Sequence, residues 1–181
     1  MIKSSILSLV LCVNNSGYMN STVIWVLITN ACRKQGYSNP KLVHAIIVIE
    51  SAMDAWATRY EPNWKYFSEV ARHAKEHGIT VKTESMHQST SWGLMQTMGG
   101  TAREMGFDEQ LTTLCVPSVN VVVGITYLKH LEKRYGKNVQ KVISAYNAGS
   151  PRRNEEGKFV NQTYVDKVMD TYSKFVPIFL Y

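Results

Sequence analysis

The stretch NPKLVHAIIVIES, residues 39–51, constrains the fold more than any other part of the chain. Asn39 followed by Pro40 marks a helix start: a capping side chain, then a residue whose missing N–H is harmless at the first helical position. The helix that follows carries Leu42, Val43, Ala45, Ile46, Ile47, Val48 and Ile49, and is apolar nearly all round. Such a helix belongs inside a domain, with other elements packed around it. At its end stands Glu50, a carboxylic acid carried into apolar surroundings.

The rest of the chain supplies those other elements. Val23 to Lys34 has Val23, Val26, Leu27 and Ala31 on one face and stops at Gly36. Pro62 opens a helix over Trp64 to His77, closed by Gly78. Residues 79–92 hold no sustained period, and we read them as loop or as a short β-hairpin around 79–90. Thr97 to Met105 is a short helix stopped by Gly106, and Ser118 to Tyr135 is the clearest amphipathic helix of the chain. Asn138 caps another helix through Ala148, and a last one runs from Asn161 to Phe175 with Tyr164, Val165, Val168, Met169 and Tyr172 inward. The fold class is mainly α. A length of 181 residues suits one domain with a full core, and no repeat or linker divides it.

Residues 1–20 read as an N-terminal extension or a weak signal-like segment, and residues 21–181 as the domain. The apolar run from Ile6 to Val13 is short and lacks a small-x-small cleavage site, and Met19 is an alternative start. The run from Val23 to Ile28 is too short to span a bilayer, so no transmembrane helix is expected. Cys12, Cys32 and Cys115 have no ligand spacing and read as free thiols. A net charge of +6 suits an anionic surface such as a bacterial wall, a membrane or a nucleic acid, but the basic residues are scattered and select no partner.

Burial disfavours the charged form of a carboxyl group and raises its pKa, which makes Glu50 a candidate general acid. The ordinary alternative is a solvated glutamate at a frayed helix end. Context decides between them through three stretches in order: Glu50-Ser51, Gly93-Leu94-Met95-Gln96, and Ala145-Tyr146-Asn147-Ala148-Gly149. Taken together, ES, GLMQ and AYNAG resemble the soluble lytic transglycosylases, lysozyme-like enzymes that cleave peptidoglycan glycan strands. The resemblance runs from about Val23 to Tyr172 and includes TAREMG, YLKHLEKRYG and Tyr164-Val165.

The resemblance implies a lysozyme-like, multi-helix fold and one catalytic residue, Glu50, with no metal and no cofactor. It implies a substrate-binding set of Ser51, Ser91, Gly93, Leu94, Met95, Gln96, Tyr146, Asn147 and Tyr164. In this reading GLMQ is a sugar-binding wall in which Met95 offers apolar surface and Gln96 a donor and an acceptor. The Tyr146 hydroxyl lies within reach of the acid. Trp92 reads as a core plug rather than a stacking platform. Ser85, Ser89 and Ser91 all qualify as the cleft serine, and Ser91 adjoins the motif.

The chain departs from the family pattern in two places. The interval from Glu50 to Gly93 is longer than usual, and RYEP followed by SWGLMQ looks most like the short single-domain enzymes of tailed phages. Val160 stands where an acidic residue is expected ahead of the last tyrosine. The resemblance implies peptidoglycan glycan strands as partner, with other phage virion proteins as a further one and no nucleic acid. The place of action is the cell wall in the periplasm, reached from a virion or, alternatively, by export from a bacterium. A hydrolytic lysozyme would need a second carboxylate, for which Asp54, Glu61, Glu69 and Glu84 are in the right interval. A non-catalytic wall-binding protein of the virion is the other alternative. One rival motif, His73-Ala-Lys-Glu76-His77, matches the zinc pattern H-x-x-E-H, although a solvated helix end is the ordinary reading.

Overall fold

The structure is a computed structural model and describes residues 19–176. It is mainly helical: α1 (Ser21–Gln35), α2 (Pro40–Ser51), β1 (Thr58–Tyr60), α3 (Val70–Glu76), α4 (Val81–Gln88), β2 (Thr90–Trp92), β3 (Thr97–Met98), α5 (Gly99–Glu104), a 3-10 turn (Leu111–Cys115), α6 (Pro117–Tyr135), α7 (Val139–Ala148) and α8 (Gln162–Lys174).

α2 forms as its sequence demands. The Asn39 side chain accepts from the Leu42 amide at 3.3 Å, and Pro40 occupies the first turn. Its residues from Leu42 to Ile47 are all buried. α1 and α8 pack directly on it, and α6 and α7 complete the ring, so one apolar cluster surrounds the helix that ends in Glu50. Asn20 and Asn138 cap α1 and α7 through the amides of Thr22 and Lys141, at 2.8 and 3.0 Å. Cys32 and Cys115 are buried free thiols, and burial pushes the Cys32 thiol up to about 11. Among the described residues no helix is long and apolar enough to cross a membrane. The expected extension at residues 1–20, and with it Cys12, lies outside the described residues except for Met19 and Asn20.

Two expectations for the middle of the chain need correction. The helix expected over Trp64 to His77 begins only at Val70. Its first residues instead form an irregular segment, held where the Trp64 indole donates to the Tyr66 carbonyl at 2.8 Å and the Ser68 amide to Gln88 Oε1 at 2.8 Å. The hairpin expected around 79–90 is in fact the helix α4, capped by Thr80, whose hydroxyl accepts from the Thr83 amide at 3.0 Å. Periodicity could not reveal α4 because its inner face is polar: Glu84 and Gln88 are both fully buried. Glu84 accepts from Arg103 Nε of α5 at 2.9 Å and from Gln88 Nε2 at 2.9 Å, which fastens α4 to α5.

A hairpin does exist, one element later. β2 and β3 pair antiparallel, Trp92 opposite Thr97, and β1 adds to the other edge with Arg59 opposite Ser91. GLMQ is the turn of that hairpin. Gly93 takes φ +65° there, and a Cβ at that position would stand 2.4 Å from the Leu114 carbonyl oxygen, so both conformation and space require glycine.

Candidate active site

Glu50 leaves the last turn of α2 and opens into a cleft of about 330 Å³ between α2, the β-sheet and α7. Burial pushes its carboxyl above the ordinary carboxylate range, and the Tyr164 hydroxyl and the positive charge of Arg59 offset only part of that effect. The C-terminal end of a helix adds to the cost of a negative charge, since backbone carbonyls converge there. Tyr164, on α8, donates its hydroxyl to Glu50 Oε1 at 2.5 Å. Burial first, and then the neighbouring Glu50, raise the pKa of Tyr164, so it remains a phenol and a donor.

Arg59 and Glu61 line the same cleft, joined by an ion pair at 2.6 Å. They stand two residues apart around the end of β1, where alternation puts both side chains on one face. Asn63 and Trp64 follow them along the wall. In the sequence RYEP stands as a mark of resemblance, and its Glu61 as one of four candidates for a second carboxylate. Its i, i+2 charge pair was the available sign that these residues share a face.

Of the residues expected in the site, the cleft brings together Glu50, Ser91, Gln96, Tyr146 and Asn147, with Tyr164 bonded to the acid. Ser51, Gly93, Leu94 and Met95 are not among its walls. Leu94 and Met95 are 0 % exposed, and Met95 Sδ packs so closely on α6 that a Cβ at Gly124 would lie 2.2 Å from it. The apolar surface expected of Met95 therefore faces the core. Gln96, expected to offer a donor and an acceptor, uses both internally: Nε2 donates to the carbonyls of Ala57 and Gly93 at 2.8 and 2.9 Å, and Oε1 accepts from Ser91 Oγ at 2.8 Å. Those bonds hold Gln96 at φ +46°, a left-handed conformation unusual outside glycine. Trp92 is a core plug as expected, its indole bonded to the His87 carbonyl at 3.0 Å.

The turn is held from three sides. Ser51 Oγ donates to the Leu94 carbonyl at 2.8 Å, and the Tyr146 hydroxyl donates to the Met95 carbonyl at 2.8 Å. Tyr146 thus lines the cleft, but its hydroxyl is engaged by the turn, and the tyrosine bonded to the acid is Tyr164. From α6, the fully buried Asn120 accepts from the Met95 amide at 2.7 Å and donates to the carbonyls of Trp92 and Leu114 at 2.8 and 2.9 Å. Sequence reasoning missed Asn120, although an asparagine beside valines on an apolar helix face was a visible anomaly. It also missed Asn161, whose Nδ2 donates to Asn147 Oδ1 at 2.9 Å and whose Oδ1 accepts from Ser144 at 2.7 Å, which orients Asn147.

The remaining carboxylates lie elsewhere. Asp54 Oδ1 accepts from the Trp56 amide at 2.8 Å, Glu69 pairs with Arg72 at 2.7 Å, and Glu84 is sealed against Arg103. Of the four, only Glu61 shares the cleft with Glu50. His73 is buried, its Nε2 lies 3.0 Å from the Arg72 guanidinium, and burial with the nearby Arg103 and Arg72 charges lowers its pKa. A guanidinium against a ring nitrogen opposes a second cation there. Among the described residues no three His, Cys, Asp or Glu side chains are grouped to hold a metal.

No solved structure gives a significant match to the chain. The family model described as the transglycosylase SLT domain matches residues 28–167, a span that contains Glu50, the hairpin turn, Tyr146 and Tyr164. On that match, and with ES, GLMQ and AYNAG meeting around one half-buried acid, the chain belongs to the SLT family of peptidoglycan lytic transglycosylases.

Proposed function

We propose that the protein cleaves the β-1,4 bond between N-acetylmuramic acid and N-acetylglucosamine with Glu50 as its single acid and base, leaving 1,6-anhydromuramoyl ends. The observation that carries this reading is the setting of Glu50: a carboxyl biased toward its protonated form, open to the cleft, and bonded to one donor, Tyr164. Protonated Glu50 gives its proton to the glycosidic oxygen as the bond to C1 breaks. The substrate's own acetamido group stabilises the positive charge at C1. Glu50, now a carboxylate steadied by the Tyr164 hydroxyl, takes the proton of the muramoyl 6-hydroxyl as that oxygen bonds to C1. Both protons are accounted for, and no water is consumed. The attacking group is part of the substrate, with the effective-concentration advantage that intramolecular attack brings.

Paired-carboxylate glycosidases need a second acidic group free to act as base or nucleophile. Glu61 is the one carboxylate in position to serve, and its ion pair with Arg59 favours the single-acid reading. The long interval before SWGLMQ supports deployment by a tailed phage, from the virion onto the wall in the periplasm and alongside other virion proteins.

Digestion of purified peptidoglycan in heavy-oxygen water tests the proposal. Unlabelled anhydro ends are the expected product, and labelled reducing ends would make the enzyme a hydrolytic lysozyme that uses Glu61. Glu50→Gln is expected to lose roughly 10²- to 10⁴-fold in rate, the usual worth of a positioned proton donor, while still binding the wall. Retained turnover in that variant would remove Glu50 from the mechanism.

A further inference from the structure

The cleft has a second arm, which the chemistry above does not use. It has a volume of about 540 Å³ and joins the Glu50 arm through shared walls at Trp64, Gln96, Met98, Tyr146 and Asn147. Past those residues the lining becomes cationic. Arg134, from the last turn of α6, and Arg152, just beyond α7, stand there with His130, against one carboxylate, Glu104. Both arginines are exposed, and among the described residues neither has a carboxylate within ion-pair distance. Arg59 and Arg103 each have one and Arg72 has three, whereas Arg33 and Arg153, also without one, do not line the arm. Two guanidiniums outside any ion pair, in a concave site, are suited to bind carboxylates, which they can grip in a bidentate manner.

The opposite wall comes from the long interval that sets this chain apart. Trp64 and Tyr66 both line the second arm, edge to face at 5.3 Å between ring centroids. Their segment is pressed against α5: a Cβ at Gly100 would lie 2.5 Å from the Tyr66 carbonyl oxygen and 2.7 Å from Trp64 Nε1. The wall is therefore seated on the helical body, and Trp64 borders both arms.

We propose that this arm binds the stem peptide of peptidoglycan, with Arg134 and Arg152 pairing to its carboxylates while the glycan occupies the Glu50 arm. The proposal rests on the peptidoglycan reading above. A muramoyl group whose lactyl carboxyl is amide-linked carries no charge, so the negative charge of a substituted strand resides in its stem peptides. Bare glycan carries its charge on lactyl carboxyls held beside the sugars, whereas the carboxylates of a stem peptide reach away from them, so an arm that branches from the catalytic cleft and carries excess positive charge matches the peptide-bearing strand.

The test uses the full chain and two substrates, peptide-bearing glycan strands and the same strands stripped of stem peptides by an amidase. Wild type is expected to favour the peptide-bearing strands. Arg134→Ala with Arg152→Ala should lower kcat/KM on them roughly tenfold, about the worth of one accessible charge-assisted hydrogen bond, and leave unaffected the stripped strands, whose lactyl carboxylates stay beside the sugars in the Glu50 arm. Arg152→Gln alone should give a smaller loss with the same selectivity. An equal fall on both substrates, or no fall on the peptide-bearing one, overturns the proposal. Titration of a soluble muramyl tripeptide into Glu50→Gln, with and without the arginine changes, gives a readout independent of turnover and product. Unchanged affinity there also overturns it, whereas weakened affinity upholds it even if the products prove to be hydrolytic.

Discussion

Replacing Tyr164 by phenylalanine isolates one influence on the proposed acid. The ring and its burial are retained, so the largest influence on Glu50, desolvation, stays in place, and so does the charge of Arg59. What disappears is the hydroxyl that donates to Oε1 at 2.5 Å. A hydrogen bond to an ionised group is worth about 1.5–3 kcal/mol, so its loss disfavours the Glu50 carboxylate by about that much. The sign follows from the donor: the hydroxyl favours the carboxylate, and its loss raises the Glu50 pKa further. Glu50 must be protonated for the first step, so kcat/KM falls as pH rises through its pKa in the free enzyme. In Tyr164→Phe that alkaline limb should move to higher pH. The assay is clearing of purified sacculi at low substrate across the pH range, beside Arg59→Gln, in which a smaller shift of the same sign is expected. A limb that stays in place, or moves to lower pH, would refute the reasoning even if the rate fell, since a uniform fall means only that Tyr164 helps to hold substrate.

Three further outcomes can be checked on the folded protein. Asn120→Ala leaves the Met95 amide and the Trp92 and Leu114 carbonyls without their partner, and even at the low end of about 1–3 kcal/mol for each of the three groups it should cost at least about 3 kcal/mol in urea unfolding; a loss under about 1 kcal/mol would show that other groups satisfy the turn. Arg103→Ala should cost about 3–5 kcal/mol by stranding the buried Glu84 carboxylate, and Arg103→Met with Glu84→Leu should cost less than the single change; equal costs would count against a stranded charge. Glu50→Gln should stabilise the fold at neutral and alkaline pH and do nothing below the ordinary carboxylate pKa, because a carboxyl with a raised folded pKa contributes its stability in acid and loses it as pH rises through the folded value; a variant equally stable to wild type at every pH would mean that Glu50 is not desolvated.

The features legible in the sequence were those written locally. Asn39-Pro40 and Asn138 announced helix starts that the side-chain caps bear out, and the apolar run from Leu42 to Ile49 announced the central helix. α4 was illegible because its buried face carries Glu84 and Gln88, so its stability comes from a partner on α5 that no period within α4 records. The stretch from Trp64 to Ser68 is not the helix its sequence suggests, because its structure is set by individual hydrogen bonds to Tyr66 and Gln88 rather than by a repeating pattern. The bond between Tyr164 and Glu50 joins residues 114 apart, and only the fold brings them together. ES, GLMQ and AYNAG meet at one cleft in the fold, but the motif resemblance carries no information on which side chains face inward.

That last distinction changes how the motifs should be read. ES and AYNAG reach GLMQ through side-chain hydroxyls and end on consecutive backbone carbonyls, Ser51 on Leu94 and Tyr146 on Met95. Asn120 takes the Met95 amide between them. One residue further on, Gln96 ties the turn back to Ala57 and Ser91, on the wall facing Glu50. The turn is therefore the piece through which α2, α6, α7 and the sheet are held in one geometry. Leu94 and Met95, both fully buried, fill the space beneath it. Placement to within a fraction of an ångström matters more to a proton transfer than another weak sugar contact would. On this account, Ser51→Ala should lower kcat more than it raises KM, since it loosens the position of the acid against the sheet and removes no wall of the cleft.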